Sequence, residues 1–238
     1  MRSTRNTTSA VLHDRRSFAG LLALCAVIVP FAFGCDSRPP LGEPLVLRSP
    51  FPQPQAWAVV PFFNESGVTT ADGSRVADQF AKVVEESEGL TCVAVNRTLA
   101  TMQVIGLRAV LTNADAQKLR AAMGVDALVV GTITSWDPYP PPKIGLAAQV
   151  YLREGLVDPA TGRAVDPSRP AAAASGSFDS ANHAVLAALR QYSAARDKPG
   201  GPYGDEIYLV EMGRFSEFAS HEVLAKMLQQ LAPPPPQR

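Results

Sequence analysis

The sequence predicts an α/β domain in which a single mixed sheet is flanked by helices, with two additional helices at its carboxyl-terminal end. Two observations predict this fold. Short apolar runs at 56–63, 91–96 and 127–134 alternate with segments whose apolar residues recur at helical spacing, an order that favours parallel strands. The stretch 144–152 then places an apolar residue at every second position, as expected of a half-buried strand.

The first part of this domain is predicted to hold a strand, a loop and an amphipathic helix. The run AWAVVPFF at 56–63 is rich in β-forming residues and too short for a typical helix, so it predicts a buried strand. Residues 64–73 are rich in turn-forming residues and are predicted to form a loop. The spacing predicts a helix over 74–87, ended by Gly89, because four apolar residues share one face: Val76, Phe80, Val83 and Val84.

The middle of the domain adds a second short strand at 91–96 and a weaker helix at 98–105. Thr112 and Asp115 have the spacing of a capping pair that opens a third helix. Gly124 is its predicted stop. The apolar face of this helix consists of Ala116, Leu119 and Met123.

The last part is predicted to contain three strands and two helices. A third strand at 127–134 and the alternating strand at 144–152 are followed by a DPATG turn and by an alanine-rich stretch, 171–178, that is a weaker strand candidate. Helices are predicted at 182–192 and 215–231, joined by the loop KPGGPYGDE.

Residues 1–34 are predicted to be an export signal and not part of the fold. A basic region precedes a 16-residue apolar run at 18–33, and small residues precede Cys35. The run is shorter than the ~20 residues that a membrane-spanning helix needs, and Pro30 interrupts it, so cleavage is favoured over permanent anchoring.

Cys35 is the predicted site of lipidation. The segment Ala32-Phe33-Gly34-Cys35 resembles a lipobox, in which a diacylated cysteine becomes the new amino terminus. Gly34 fits that pattern, Ala32 and Phe33 depart from it, and the alternative is an ordinary secretory signal with an incidental cysteine. Acyl chains would bind the lipid bilayer, since each buried methylene contributes about 0.8 kcal/mol. Asp36 resembles an inner-membrane retention signal whose rule varies by lineage, so cell membrane and outer membrane both stay open.

The sequence therefore divides into a signal peptide (1–34), a proline-rich tether (35–55), an α/β domain (56–232) and a proline-rich tail (233–238). Six prolines within 36–55 predict an extended tether that does not pack and reaches on the order of 60 Å. The domain itself divides into a core, 56–178, and a helical part, 179–232.

The charge balance argues against nucleic acid as a partner. Basic and acidic residues number 22 each, and removal of residues 1–34 leaves 18 basic and 21 acidic side chains. A mildly acidic protein offers no basic field to attract phosphates.

No familiar catalytic, phosphate-binding or metal motif is present, so neither enzymatic activity nor a cofactor or metal is expected. His221-Glu222 begins like a zinc-protease motif but lacks the second histidine one turn later. The isolated polar candidates are expected to be structural: packed or surface histidines (His183 and His221), turn or cap serines (Ser66 and Ser74), a solvated acidic face (Glu85, Glu86 and Glu88) and a buried thiol (Cys92).

Trp136, Tyr139 and the prolines 140–142 are predicted to form a loop after the third strand. Two roles are equally open for this loop, a rigid crossover packed on the core and an exposed binding surface, because loops at strand ends often carry function.

Three motifs carry a family resemblance: AVVPFFN at 58–64, GVDALVVGTIT at 124–134 after the helix ADAQKLRAAM, and VDPATGRAV at 157–165. Over about 56–177 the chain resembles the α/β domain shared by the curli secretion channel protein CsgG, the lipoprotein LpoB that activates penicillin-binding proteins, and the amino-terminal domain of TolB. The resemblance implies a binding, assembling or regulating role without a catalytic residue. The carboxyl-terminal helices have no counterpart in it.

These observations predict a non-enzymatic, periplasm-facing envelope lipoprotein, anchored through Cys35, that binds, assembles or regulates another periplasmic or membrane protein. One alternative is a subunit of a CsgG-like outer-membrane secretion channel, for which only 144–152 has the length of a membrane strand, with no equally long partner. A second alternative is an envelope polymer hydrolase with unrecognised carboxylates. The oligomeric state is left open.

Overall fold

The structure is a computed structural model that describes residues 46–196 and 204–233. The predicted signal peptide, Cys35, the first part of the tether and the residues after Pro233 lie outside the described residues, as does most of the loop between the last two predicted helices.

The described residues form one mixed sheet of six strands flanked by helices, which confirms the predicted α/β class. Its strands are β1 (Gln55–Val59), β2 (Phe63–Asn64), β3 (Leu90–Val93), β4 (Ala127–Asp137), β5 (Lys143–Leu152) and β6 (Ala172–Asp179). Five of them lie in the order β3-β1-β4-β5-β6, and β2 pairs with β4. The pairs that involve β1, β2 and β3 are parallel, whereas β4-β5 and β5-β6 are antiparallel.

Six helices flank this sheet in the described residues. They are α1 (Gly73–Glu85), α2 (Val95–Val104), α3 (Asn113–Met123), α4 (His183–Arg196), α5 (Glu206–Val210) and α6 (Met212–Leu231). The short helix α5 was not predicted: it begins at the last residue of the predicted loop KPGGPYGDE and continues into residues for which the sequence predicted no element.

The larger hydrophobic core lies on the face of the sheet that α1, α4 and α6 cover. Its largest fully buried side chains include Trp57 of β1, Phe80 of α1 and Phe218 of α6. The alternating residues of β5 also point into it, which confirms the predicted half-buried strand: Ile144, Leu146, Ala148, Val150 and Leu152. Burial of large apolar side chains contributes about 1.5–3 kcal/mol each, so this core is the main source of stability.

The opposite face carries a smaller core, because only α2 and α3 pack on it. Leu128 and Tyr151 from the sheet meet Met102 of α2 and Leu119 of α3 there. These helices leave the outer face of the sheet open toward β6, where the side chains of Ala173, Ser175 and Ser177 are exposed.

The predicted capping pair is confirmed at α3. The Thr112 side chain accepts a hydrogen bond from the Asp115 backbone N–H, and the Asp115 carboxylate accepts one from the Thr112 N–H. Gly124 ends the helix with φ of 67°, a left-handed conformation that glycine adopts without a Cβ penalty. Asp126 then accepts hydrogen bonds from Ala56 N and Arg153 Nε, which joins β1 to the end of β5.

Three strand boundaries differ from the prediction by more than one residue. β1 ends at Val59, and Phe63 instead pairs with Thr132 of β4; Pro61 between them has no N–H to continue a ladder. The second strand ends at Val93 because 95–96 begin α2. β4 runs on to Asp137 and pairs with β5, so the expectation that 144–152 lacks an equally long partner is wrong.

The extension of β4 also corrects the predicted aromatic loop. Trp136 lies inside β4, opposite Ile144, and packs against the larger core. Tyr139 is exposed in the short connection to β5, where its N–H donates to Asp137.

The end of the tether packs on the domain, so the expectation that all of 36–55 extends freely is wrong for 46–55. Phe51 is buried in the larger core, and Gln55 already belongs to β1. Ser49 N donates to Glu88 O, and Glu88 N donates to Leu47 O, beside the amino end of β3. The buried Phe51 ring and these backbone hydrogen bonds together hold the stretch on the domain.

A buried carboxylate joins three helices under the larger core. The Glu217 side chain on α6 is 2% exposed and lies 2.8 Å from Lys82 Nζ of α1 and 3.0 Å from Arg196 Nη1 of α4. Tyr192 of α4 donates its hydroxyl to the same carboxylate at 3.1 Å, and Arg196 also pairs with Glu86.

No helix within the described ranges is long and apolar enough to cross a membrane.

Candidate functional site

A cleft of about 480 Å³ opens beyond the carboxyl end of β1, on the face of the sheet that α2 and α3 cover. Its walls come from the segment after β1, from the end of α2 with the connection to α3, and from the middle of β4 and β5. Crevices outside the carboxyl ends of parallel strands are the usual ligand sites of open α/β sheets. The apolar lining residues include Val60, Pro61, Phe63, Leu99, Met102, Val110, Leu111 and Val130.

Two glycines hold the first wall, residues 60–63, in place. Gly73 begins α1 so close to this segment that an added Cβ would overlap the Phe62 carbonyl oxygen, and Phe62 N donates to Gly73 O at 3.0 Å. Gly131 of β4 lies directly under the Phe62 ring, where a Cβ would also collide. With the Phe62 ring fixed in the larger core, the next residue, Phe63, points outward and is 52% exposed.

Asn64 organises the loop that follows Phe63. Its amide nitrogen donates to Val68 O at 2.8 Å and to Ala71 O at 3.2 Å. Its side-chain oxygen accepts from the N–H and the hydroxyl of Ser66, as expected of an Asx turn. The asparagine of the AVVPFFN motif therefore has a structural role beside the cleft.

The second wall is an unusually apolar connection, VIGLRAVL at 104–111, between α2 and α3. Leu107 N donates to Met102 O, and Lys118 Nζ donates to Ile105 O, so the connection is held at both helices. Leu111 at its end is 73% exposed although it lines the cleft.

Polar groups converge on the floor and rim of the cleft. The hydroxyl of Tyr151, which is buried in β5, lies 2.8 Å from Asn113 Oδ1 and 2.9 Å from Gln149 Oε1, and burial raises its pKa. Arg108 and Glu65 are exposed lining residues, and among the described residues neither side chain has an ion-pair partner. An apolar cleft with few polar groups and a free cation is suited to binding, since the polar groups orient what the apolar walls hold.

A second groove of about 640 Å³ lies between the amino-terminal turns of α1 and α6. Three carboxylates line it, from Asp72, Asp78 and Glu211. Asp72 caps α1 by accepting from Ser74 N and Arg75 N, and burial together with the Asp72 charge raises the pKa of Asp78. Within the described chain, no hydrogen bond or ion pair links Asp78 or Glu211 to a histidine, a cysteine or another carboxylate.

The other polar candidates lie apart from both grooves. Ser66 closes the Asn64 turn as predicted, whereas the cap of α1 is Asp72 and not Ser74. His221 is buried against the Tyr192 ring, as expected of a packed histidine.

The predicted solvated acidic face is confirmed, since Glu85, Glu86 and Glu88 are all exposed, and each carboxylate also has a partner within the chain. Glu86 pairs with Arg196 and Glu88 with Arg48, while Glu85 accepts from Cys92 N. Cys92 is partly buried, and burial followed by the Glu85 charge raises its pKa to about 12, which describes an unreactive thiol.

The cleft residues Phe63, Arg108 and Leu111 were not predicted as a site. The sequence predicts a buried strand that includes Phe63 and a weak helix that includes 104–105, and it predicts no element at 106–111. The sequence feature that could have indicated this site is composition. Six of the eight residues in VIGLRAVL are apolar, although the segment connects two helices.

No protein-family model matches the chain, and no curated protein matches it. Among solved structures, the LpoB carboxyl-terminal domain of Salmonella enterica is 14% identical, with 53% of this chain and 84% of that chain covered and a TM-score of 0.38. The lipoprotein GNA1162 of Neisseria meningitidis is 21% identical, with 57% and 91% covered and a TM-score of 0.37. The PelC dodecamer of Paraburkholderia phytofirmans is 12% identical, with 80% and 96% covered and a TM-score of 0.36. At these TM-scores the likenesses establish no shared function, and the resemblance to CsgG and TolB stays a prediction.

Proposed function

We propose that this chain is a non-enzymatic envelope lipoprotein whose domain binds a polypeptide segment of another envelope protein in the cleft. The observation that carries the proposal is the exposure of Phe63 and Leu111 on opposite walls of one cleft, beside Arg108, whose side chain has no ion-pair partner among the described residues. Large apolar side chains that flank a concave site are typical of protein-binding surfaces.

The chemistry of the cleft favours an apolar side chain next to an acidic group. The apolar walls offer Phe63, Val110 and Leu111 to the side chain, and Arg108 offers its guanidinium to a carboxylate. A volume of about 480 Å³ suits a few side chains of an extended segment and not a folded surface.

The first described residues and the cleft lie at opposite ends of the parallel strands. The described chain enters beside Glu88, at the amino end of β3, whereas the cleft lies beyond the carboxyl end of β1.

Replacing Leu111 with Asp is expected to lower recovery of the partner at least about tenfold in pull-downs from crosslinked membranes, because it places a charge in the apolar wall. Val157→Asp is the matched control, since Val157 is 57% exposed in the hairpin outside the cleft, and it should change recovery little. Equal loss in both variants, or no loss with Leu111→Asp, contradicts the proposed site.

Replacing Cys35 with Ser is expected to abolish incorporation of labelled palmitate and to release the chain from the membrane fraction, because the thiol that carries the lipid is missing. Cys92→Ser is the control and should leave labelling unchanged. Mass spectrometry of an unmodified mature amino terminus at another residue would remove the lipoprotein proposal.

A further inference from the structure

The outer edge of β6 carries an unusual pair of hydrogen bonds. β6 is the last strand in the order β3-β1-β4-β5-β6. Gln230 of α6 donates its amide N–H to Ala173 O at 2.8 Å, and its amide oxygen accepts from Ala173 N at 3.1 Å. The side-chain amide thus makes the two bonds that a residue of a neighbouring antiparallel strand would make.

The same edge continues beyond Ala173. Because backbone groups alternate in direction along a strand, the N–H and C=O groups of Ser175 and Ser177 also face away from β5. Lys226 Nζ lies 3.5 Å from Ser175 O, which places a second flexible side chain of α6 over this edge. Both Gln230 and Lys226 are exposed, so their side chains can move away from the edge with only a small loss of free energy.

We infer that the outer edge of β6 is a strand-pairing surface, that Gln230 and Lys226 cover it in the single chain, and that its occupant is β6 of a second copy. A two-fold axis at Gly176 pairs Ala173 with Asp179 and Ser175 with Ser177 of the other copy. Each copy then satisfies the outward backbone groups of the other, as isologous pairing requires.

Side-chain size and charge fit a second copy. The exposed side chains of Ala173, Ser175 and Ser177 are small, so the edge offers no apolar anchor for a different protein. The pairing also brings Asp179 of one copy opposite Ala173 of the other, and Asp179 is already paired with Lys143 of its own chain, so the pairing places no unpaired charge at the edge.

The expected association is weak. A pair of eight-residue strands buries much less than the ~800 Å² per partner of a standard interface. Gln230 and Lys226 compete with a second copy for the backbone groups of β6, so they can keep the chain monomeric at low concentration. Many natural edge strands are protected from pairing in a similar way. This inference does not depend on the cleft.

Sedimentation equilibrium tests it on the exported chain with Cys35→Ser, so that no lipid contributes. Gln230→Ala combined with Lys226→Ala is expected to lower the dimer dissociation constant at least about tenfold relative to the Cys35→Ser parent. Gln229→Ala is the matched control, because Gln229 is exposed on the same helix without a hydrogen bond to β6, and it should sediment as the parent.

Adding Ser175→Pro to the double variant tests the edge itself. Proline removes an outward N–H and leaves the bonds between β6 and β5, so self-association should return to the level of the parent. Circular dichroism checks that each variant is folded. Unchanged sedimentation of the double variant, or association that persists with Ser175→Pro, overturns the inference.

Discussion

Replacing Glu217 with Ala is expected to lower the free energy of unfolding by about 3 kcal/mol. The substitution leaves Arg196 and the Tyr192 hydroxyl without their shared acceptor under the larger core, and it opens a gap between α1, α4 and α6. Breaking a buried ion pair by removing one partner costs about 3–5 kcal/mol. The lower end applies because Lys82 is half exposed and can return to water.

Two further variants separate charge from packing in this network. Glu217→Gln keeps an acceptor for Tyr192 but loses the charge, so an intermediate loss of about 1–2 kcal/mol is expected. Glu211→Ala removes an exposed carboxylate at the start of the same helix and should stay within about 0.5 kcal/mol of the parent. Urea denaturation measures all three, and a Glu217→Ala variant as stable as the parent contradicts the described network.

Gly73→Ala is expected to destabilise the domain by about 3 kcal/mol and to weaken partner binding in the same variant. An added Cβ collides with the Phe62 carbonyl oxygen, which belongs to the backbone and cannot turn aside. The collision can be relieved only if the segment 60–63 moves, and this segment is the first wall of the cleft. Stability and binding are therefore coupled at this glycine.

Gly213→Ala is the control for Gly73→Ala. Both glycines lie in the first turn of a helix, but a Cβ at Gly213 meets only ordinary contacts, the nearest at 3.5 Å from a Glu211 side-chain oxygen. Helix propensity alone should then stabilise the domain by up to about 1 kcal/mol. Thermal or urea unfolding that gives the two variants similar losses would argue against the close approach of Gly73 to Phe62.

Elements with a complete local pattern could be predicted from the sequence. The apolar stripe of α1 and the alternation of β5 each indicate which face is buried, and the Thr112 cap indicates where α3 begins. These signals depend on local periodicity and local hydrogen bonding, and each involves only residues that are close together in the sequence.

Features that depend on contacts between distant residues could not be predicted. The run 56–63 is uniformly apolar, so nothing local shows that Phe62 turns inward over Gly131 while Phe63 turns out. Glu217 lies in a helix of mixed composition, and its partners come from residues 21 and 135 positions away. Phe51 likewise finds a hydrophobic site that only the folded sheet creates.

Site-specific photocrosslinking in cells tests the central claim that the cleft binds a polypeptide segment. A photoreactive amino acid at Leu111 should give one discrete adduct, identified by mass spectrometry as the same envelope protein that a probe at Phe63 captures. The same probe at the exposed Val157 should not give that adduct. Arg108→Glu should reduce the Leu111 adduct, because the proposed carboxylate contact becomes repulsive. Identical adducts at Leu111 and Val157, or no protein adduct at either cleft position, would contradict the account.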